Sequence, residues 1–172
     1  MLFAIAVTFG ILLYRRTSLI VLITGIVSFA VGILYTCGPV PISRMPLGEC
    51  FSGFFMGFVI IFLSVWIQIP DEALAYLTFA GGLADLHVDF HELLRLFLVA
   101  WPANACIANI MLANNICDME DDLENRRYTL PIYIGKEKAL ALFQGLYYSA
   151  FVSILLLLIP GILPWTVLPV LF

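Results

Sequence analysis

The sequence has too few charged residues to cover the surface of a water-soluble domain. Only 12% of its 172 residues are charged, whereas 63% are hydrophobic. A soluble globular protein of this length carries about twice that share of charged residues, 25%. The composition therefore excludes a soluble globular domain and indicates a protein of the lipid bilayer.

Cysteine is also scarce and lacks the spacing of a disulfide framework or a zinc site. Cys37, Cys50, Cys106 and Cys117 are widely spaced, form no CxxC pair and lie in or beside apolar segments. We expect four reduced thiols that are buried as small hydrophobic side chains. A P-loop, a dinucleotide fingerprint and a nucleophile elbow are missing as well. With a net charge of −4, nothing suggests a nucleic-acid surface.

What the sequence does contain is a series of apolar runs, at residues 2–14, 18–35, 49–69, 93–114, 139–159 and 162–172. A spanning helix needs about 20 mostly apolar residues, so the four middle runs predict transmembrane helices. The first and last runs are short, and we expect both to be cut helices. A secretory signal is disfavoured because no basic segment precedes the first run, while Arg15 and Arg16 follow it.

The apolar runs are joined by four connections, at residues 15–17, 36–48, 70–92 and 115–138. Alternate connections share one side of the membrane. The third has no Lys or Arg, whereas the second and fourth carry Arg44, Arg126, Arg127, Lys136 and Lys138. The positive-inside rule therefore predicts that the second and fourth face the cytoplasm. Arg15 and Arg16 fall on the opposite side under this count.

Several residues inside the helices predict how the helices pack. Gly53 and Gly57 form a GxxxG pattern, which allows close approach of a neighbouring helix. Pro102 removes a backbone hydrogen bond from its helix and predicts a kink. Asn104 and Asn109 share that helix and indicate that it lines a polar space. A structural hydrogen bond between helices explains each Asn equally well.

The most informative segment follows this helix, where five of the seven residues from Asp118 to Glu124 are acidic. If the helix continues, Asn114, Asp118 and Asp122 project along one stripe, with Asp121 beside them. Acids at a helix C-terminus are disfavoured by the macrodipole, so we expect a compensating cation, for which Mg²⁺ fits. The alternative is a solvated acidic turn that Arg126 and Arg127 neutralise.

The spacing N-[DN]-x-x-D-x-x-x-D, formed by Asn114, Asn115, Asp118 and Asp122, resembles the second aspartate-rich motif of the UbiA superfamily of intramembrane prenyltransferases. The flanking segments 112–116, 129–131 and 135–136, and the earlier segments 35–39 and 46–49, resemble 1,4-dihydroxy-2-naphthoate polyprenyltransferases. The resemblance covers nearly the whole chain. It implies an all-α, polytopic transmembrane bundle, with residues 1–172 forming one partial prenyltransferase domain of five to six helices out of nine.

The resemblance also implies a reaction. Such enzymes transfer a polyprenyl group from a polyprenyl diphosphate to an aromatic acceptor, here 1,4-dihydroxy-2-naphthoate in menaquinone biosynthesis, and they use Mg²⁺. This implies a multi-pass protein of the plasma membrane.

By the same resemblance, Asp118 and Asp122 are the catalytic residues and bind the metal together with Asn114 and Asp121. Asn115, Arg127 and Arg44 are then assigned to substrate binding. For Arg44, anchoring of its loop at lipid headgroups is an equally good interpretation. The family commonly has Gly at the position of Arg126.

One departure from the family pattern concerns the first aspartate-rich motif, N-D-x-x-D, which nothing before Asn114 matches. The resemblance places Met1 within about the third of nine helices and Phe172 within the eighth. We therefore expect little or no activity from this polypeptide alone and infer the function for the complete protein. The alternatives are a cation-coupled transporter, in which the same acids with Asn104 and Asn109 bind the cation, and a non-functional truncated product.

A second polar segment, residues 85–92, contains His87 and His91. On a helix these two side chains would lie one turn apart, as in some zinc sites. The strict alternation of polar and apolar residues favours an extended segment on the membrane surface.

Overall fold

The computed structural model describes residues 1–39, 41–69, 74–80 and 83–171. Parts of the predicted connections 36–48 and 70–92, and the last residue of the run 162–172, lie outside this range. Within it, four helices are long and apolar enough to cross a membrane: span 1 (Leu19–Thr36), span 2 (Gly48–Trp66), span 3 (Phe90–Cys117) and span 4 (Lys136–Leu158). They coincide with the four middle apolar runs and confirm that prediction.

Shorter elements connect or flank the spans. The helix Leu2–Tyr14 confirms the first apolar run as helical, although none of its residues is buried. The two helices Met119–Glu124 and Leu130–Ile134 lie between spans 3 and 4, and the 3₁₀ turn Ile42–Arg44 precedes span 2. Span 2 changes from α-helix to π-helix at Gly53–Val59 and returns to α-helix at Ile60–Trp66.

The helix expected at residues 162–172 is formed only at Trp165–Leu171, and it is a 3₁₀ helix rather than an α-helix. Span 4 ends at Leu158, and the chain turns at Gly161, whose φ is +74°. The following residues Trp165–Leu171 form a 3₁₀ helix. Pro164 and Pro169 lack backbone N–H groups, so a regular α-helical ladder cannot pass through this segment.

Span 3 lies at the centre of the bundle and packs antiparallel to span 4. The indole Nε1 of Trp101 donates to Oγ of Ser149 at 2.9 Å, and Nδ2 of Asn109 donates to the carbonyl of Phe143 at 3.0 Å. Lipid offers no hydrogen-bond partners, which favours bonds of this kind between helices, although Oδ1 of Asn109 has no partner among the described residues. The inter-helix hydrogen bond is therefore the interpretation that the structure supports for Asn109. Span 3 is helical throughout Phe90–Cys117, and the kink predicted at Pro102 stays a prediction.

Span 2 packs on span 3 through its two glycines, which confirms the close approach predicted from GxxxG. A Cβ atom added at Gly57 would lie 2.7 Å from the backbone nitrogen of Asn104. One added at Gly53 would lie 2.5 Å from Oδ1 of the same residue. No side chain fits in these gaps, so both positions require glycine. Both glycines belong to the π-helical segment.

All four cysteines are free, as expected, but the prediction that they are buried is wrong, because each is exposed on this chain. Cys50 and Cys106 lie inside spans 2 and 3. Lipid is as apolar as the space between helices, so these two thiols gain little from burial.

The segment before span 3 is a two-stranded antiparallel hairpin, Ala75–Ala80 with Leu83–Val88. His87 lies on the second strand and its ring stacks on Tyr76 at a centroid distance of 4.6 Å. His91 lies in the first turn of span 3, where its backbone N–H donates to the side chain of Asp89. The extended interpretation is confirmed for residues 83–88, and the helical pair of histidines is not formed.

The contact between Gly57 and Asn104 yields a testable prediction. Gly57→Ala places a methyl group against the backbone of span 3, and such overpacking costs about 1–3 kcal/mol. We expect a lower midpoint of thermal unfolding in detergent micelles. In the matched control, Gly145→Ala on span 4, the new methyl group meets no atom within 4 Å. Equal midpoints for the two variants would contradict the packing described.

Candidate active site

Two polar loops meet at one end of the bundle. They are the first polar loop (residues 37–47) and the motif loop (residues 118–135). The backbone N–H of Tyr128 donates to the carbonyl of Arg44 at 3.1 Å, and Nη2 of Arg127 donates to the carbonyl of Ser43 at 3.3 Å. These bonds confirm that the second and fourth connections lie at the same end of the bundle.

The acidic motif contains a break between helices. Span 3 ends at Cys117, Asp118 has φ −94° and ψ 12°, and a new helix starts at Met119. The N–H of Asp118 still bonds to the carbonyl of Asn114 at 2.9 Å, and that of Asp122 bonds to the carbonyl of Asp118 at 2.8 Å. The spacing of the stripe is therefore preserved through the break.

The break changes the electrostatics that the sequence suggested for a continuous helix. Glu120, Asp121 and Asp122 lie in the first turn of the helix Met119–Glu124. Negative charge is favoured at a helix N-terminus. The expectation that the macrodipole opposes these acids is therefore wrong for these three residues. Asp118 alone lies at the junction of the two helices.

The predicted metal ligands divide into two groups by exposure. Asn114, Asp118 and Asp121 are exposed, whereas Asp122 is 2% exposed. Within the described part of the chain, no side chain bonds to the carboxylate of Asp118. Asp118 therefore presents an open carboxylate at the mouth of span 3.

The carboxylate of Asp122 is occupied by residues of its own loop. Its Oδ2 accepts from Oγ1 of Thr129 at 3.0 Å, and its Oδ1 lies 3.2 Å from Nη1 of Arg127. Thr129 is fully buried, while the side chain of Arg127 is 37% exposed. One face of the guanidinium is thus held by the protein, and the other faces outward.

The backbone after the helix Met119–Glu124 brings Arg127 back towards Asp122. The N–H of Arg127 bonds to the carbonyl of Asp122 at 2.7 Å, and the N–H of Arg126 bonds to that of Leu123 at 3.2 Å. This pair of bonds is the Schellman motif of a helix C-terminus, which requires a left-handed residue between them. Arg126 supplies it, with φ +53°. Glycine is the residue best suited to this position, which explains its frequency there in the family that the motif resembles.

Asn115 points away from the open carboxylate. It is 5% exposed, and its Nδ2 donates to Oε1 of Glu49 at 2.9 Å, at the start of span 2. Glu49 is 4% exposed, and its Oε2 has no hydrogen-bond partner among the described residues. The pair fixes the end of span 3 to the start of span 2 and separates Asn115 from the exposed Asn114.

The donor set suits a cation that is shared with a ligand. The described residues contain no group of three or more His, Cys, Asp and Glu side chains around one point. Mg²⁺ is commonly held by one or two carboxylates, with water and phosphate oxygens in its remaining positions. Asp118, with Asn114 one turn before it and Asp121 after it, fits that requirement. These residues do not fit a cation site that is enclosed entirely by protein.

Sequence reasoning missed three residues that organise this end of the bundle. Thr129 belongs to the flanking segment 129–131, and its bond to Asp122 spans a change of chain direction that local spacing does not reveal. Glu49 gave no signal beyond its place in the segment 46–49. Ser43 contributes only a carbonyl, which any residue carries. Arg44 is exposed, and its backbone carbonyl accepts from Tyr128, the residue after Arg127.

The buried pair of Asn115 and Glu49 yields a prediction about stability. Asn115→Leu removes the donor to a buried carboxylate, and an unsatisfied buried group costs about 1–3 kcal/mol. We expect a clear fall in the midpoint of thermal unfolding. The adjacent Asn114→Leu is the control, because this side chain is exposed and the expected change lies within about 0.5 kcal/mol. A larger loss for Asn114→Leu would contradict the assignment of the two residues.

The left-handed backbone of Arg126 yields a second prediction. Arg126→Gly relieves a conformation that costs an L-residue about 1 kcal/mol, so the variant should unfold at a higher temperature. Glu124→Gly, two residues earlier in the helix, should have the opposite sign, because glycine inside a helix costs about 0.5–1 kcal/mol. A fall in stability for Arg126→Gly would show that the Schellman turn is not formed.

Comparison with known proteins identifies the family of this chain. The whole chain, residues 1–172, matches the UbiA prenyltransferase family. The chain is 30% identical over 164 residues to the 1,4-dihydroxy-2-naphthoate octaprenyltransferase of Bacillus subtilis (strain 168), an alignment that covers 95% of this chain and 46% of that relative. The chain thus spans about half the length of the curated relative that it matches. No solved structure matches it significantly. The described residues include four helices that are long and apolar enough to cross a membrane, and the family match runs along the full length, so this chain belongs to the UbiA prenyltransferase family.

Proposed function

We propose that the protein to which this chain belongs transfers a polyprenyl group from a polyprenyl diphosphate to an aromatic acceptor. The acceptor proposed is 1,4-dihydroxy-2-naphthoate, the substrate in the name of the relative from Bacillus subtilis, and the product would enter menaquinone biosynthesis. The observation that carries the proposal is the open carboxylate of Asp118, one helical turn before the Asp122 that holds the guanidinium of Arg127, at one end of an apolar bundle.

In this proposal the cation is Mg²⁺, bound by Asp118 with Asn114 and Asp121 in support. When bound, Mg²⁺ neutralises negative charge that develops on the departing diphosphate. Asp122 was predicted as a further metal ligand and stays a prediction in that role. The chain's own contribution to metal binding is a small set of hard oxygen donors, which suits a cation that the diphosphate completes.

Two basic residues are proposed to bind the diphosphate. Arg127 is held against Asp122 and has N–H groups left to donate, and its planar guanidinium matches phosphate oxygens. Arg44 lies on the first polar loop, whose backbone is bonded to the motif loop at Tyr128. For Asn115 we propose an indirect role in substrate binding. Its amide donates to Glu49 and so holds the end of span 3 in place.

The isoprenoid tail requires an apolar surface that leads away from the diphosphate. A groove of about 1180 Å³ lies between the helix Leu2–Tyr14 and span 1, and it is lined by Phe3, Phe29, Ile33 and Cys37 among others. Cys37 begins the first polar loop, so the groove runs from the end of the bundle that carries the motif towards its middle. A hydrocarbon chain is stabilised in such a groove and kept from water.

The location proposed is the plasma membrane, with the first polar loop and the motif loop on the cytoplasmic side. Lys136 and Lys138 follow the motif loop, and the excess of Lys and Arg at this end of the bundle supports that orientation. We further propose that residues 1–172 form part of one prenyltransferase domain.

The test is an assay of 1,4-dihydroxy-2-naphthoate prenylation. It uses membranes from cells that express this chain, extended by any residues encoded upstream of Met1. With Mg²⁺ and a polyprenyl diphosphate present, Asp118→Ala and Asp122→Ala should each lower turnover about 100-fold or more, since each removes an electrostatic element of the site.

Both variants should still insert into the membrane. Glu124→Ala, an exposed acid of the same short helix, is the matched control and should keep its activity. Unaltered rates in both aspartate variants would remove the site assignment.

A further inference from the structure

We propose that Asp122 is a positioning residue, which holds the guanidinium of Arg127 towards the diphosphate while Asp118 carries the cation. This inference rests on the proposed function, because it assigns separate tasks to two acids of one motif. It differs from the assignment by spacing alone, in which both are metal ligands.

The two acids lie four residues apart but in opposite environments. Asp118 is exposed, and within the described residues its carboxylate has no bonded side chain. The Asp122 side chain is 3% exposed, and each of its carboxylate oxygens already has a partner. To reach a cation in the mouth of the bundle, Asp122 would have to release both Arg127 and Thr129.

That release is energetically costly. The carboxylate would give up two bonds to its own loop, and the hydrogen bonds of charged groups are stronger than those between neutral groups. It would also leave the hydroxyl of Thr129, which is fully buried, without an acceptor. Asp118 can bind a cation without either loss. Within one motif, the exposed acid is therefore the better metal ligand and the buried acid the better anchor.

Arg127 has N–H donors that its contacts with Asp122 and Ser43 do not use. A guanidinium carries five N–H groups. One Nη1 donor faces Asp122, and one Nη2 donor faces the carbonyl of Ser43. The side chain is 37% exposed, so the remaining donors can bind an oxyanion. Held at two points, the guanidinium loses little side-chain entropy when it binds.

The contact between Asp122 and Arg127 also joins the two loops of the site. Arg127 reaches Ser43 of the first polar loop, and the next residue, Tyr128, bonds to the carbonyl of Arg44. Asp122 thereby fixes the distance between Arg127 and Arg44. If the carboxylate of Asp122 is removed, Arg127 and Arg44 are less well positioned to bind the same diphosphate.

The experiment measures two affinities separately on the 172-residue chain in detergent micelles. Mn²⁺, as a spectroscopic substitute for Mg²⁺, is titrated alone by electron paramagnetic resonance. Inorganic pyrophosphate is titrated alone, without metal, by calorimetry. The variants are Asp122→Asn, Asp118→Asn, Arg127→Gln and the double variant Asp122→Asn with Arg127→Gln, and thermal unfolding is recorded for each.

Asp122→Asn should weaken pyrophosphate binding about 10-fold, the value of one hydrogen bond to a charged group, and leave Mn²⁺ affinity unchanged. Asp118→Asn should weaken Mn²⁺ binding and leave metal-free pyrophosphate binding unchanged. The double variant should bind pyrophosphate no worse than Arg127→Gln alone, because Asp122 acts through Arg127. A purely structural role would lower both affinities together.

Thr129→Val is the milder variant in case Asp122→Asn does not fold. It removes one bond to the carboxylate and keeps the volume, so it should lower pyrophosphate affinity in the same direction and spare Mn²⁺. Loss of Mn²⁺ affinity in Asp122→Asn as large as in Asp118→Asn would overturn the inference and leave the proposed function standing. An unaltered chain that binds neither probe would also overturn the inference, because it assigns both binding tasks to residues of this chain, whereas the proposed function of the complete protein is tested by the prenylation assay.

Discussion

The end of the bundle that carries the candidate site depends on one buried carboxylate. Asp122 accepts a hydrogen bond from Thr129, faces the guanidinium of Arg127 and offers its own carbonyl to the N–H of Arg127. Through Arg127 it also reaches the first polar loop at Ser43. A charge this deeply buried is stable only when paired, so its partners determine the path of the motif loop. The open carboxylate of Asp118 lies one turn earlier, where its backbone N–H still bonds to Asn114 of span 3.

The spans obey the same constraint, because lipid cannot bond to polar groups. Asn109 bonds to the carbonyl of Phe143, and Trp101 bonds to Ser149, which aligns spans 3 and 4. Spans 2 and 3 approach through Gly57, where no side chain fits. Span 3 is thus held on two sides, and the motif at its end is presented by a rigid element rather than by a free loop. Rigid support of this kind favours a site that binds charged groups in fixed geometry.

Much of the fold could be predicted from the sequence because hydropathy and length decide which segments cross a bilayer. The packing role of Gly57 followed from its spacing, and the pairing of the two polar loops followed from the count of spans. The rest depends on contacts between distant residues. The bond between Thr129 and Asp122 requires the turn at Arg126, whose left-handed backbone is unusual for an arginine. The break between helices after Cys117 cannot be predicted from composition. Spacing alone assigns Asp118 and Asp122 the same role, although the structure gives them different environments.

The most direct test of this account is an experimental structure of the chain with Mg²⁺ and inorganic pyrophosphate bound. The account predicts a cation bonded to the carboxylate of Asp118, a pyrophosphate oxygen bonded to Arg127, and Asp122 still in contact with Thr129. A structure in which Asp122 has left Thr129 and Arg127 and bonds to the cation would contradict it.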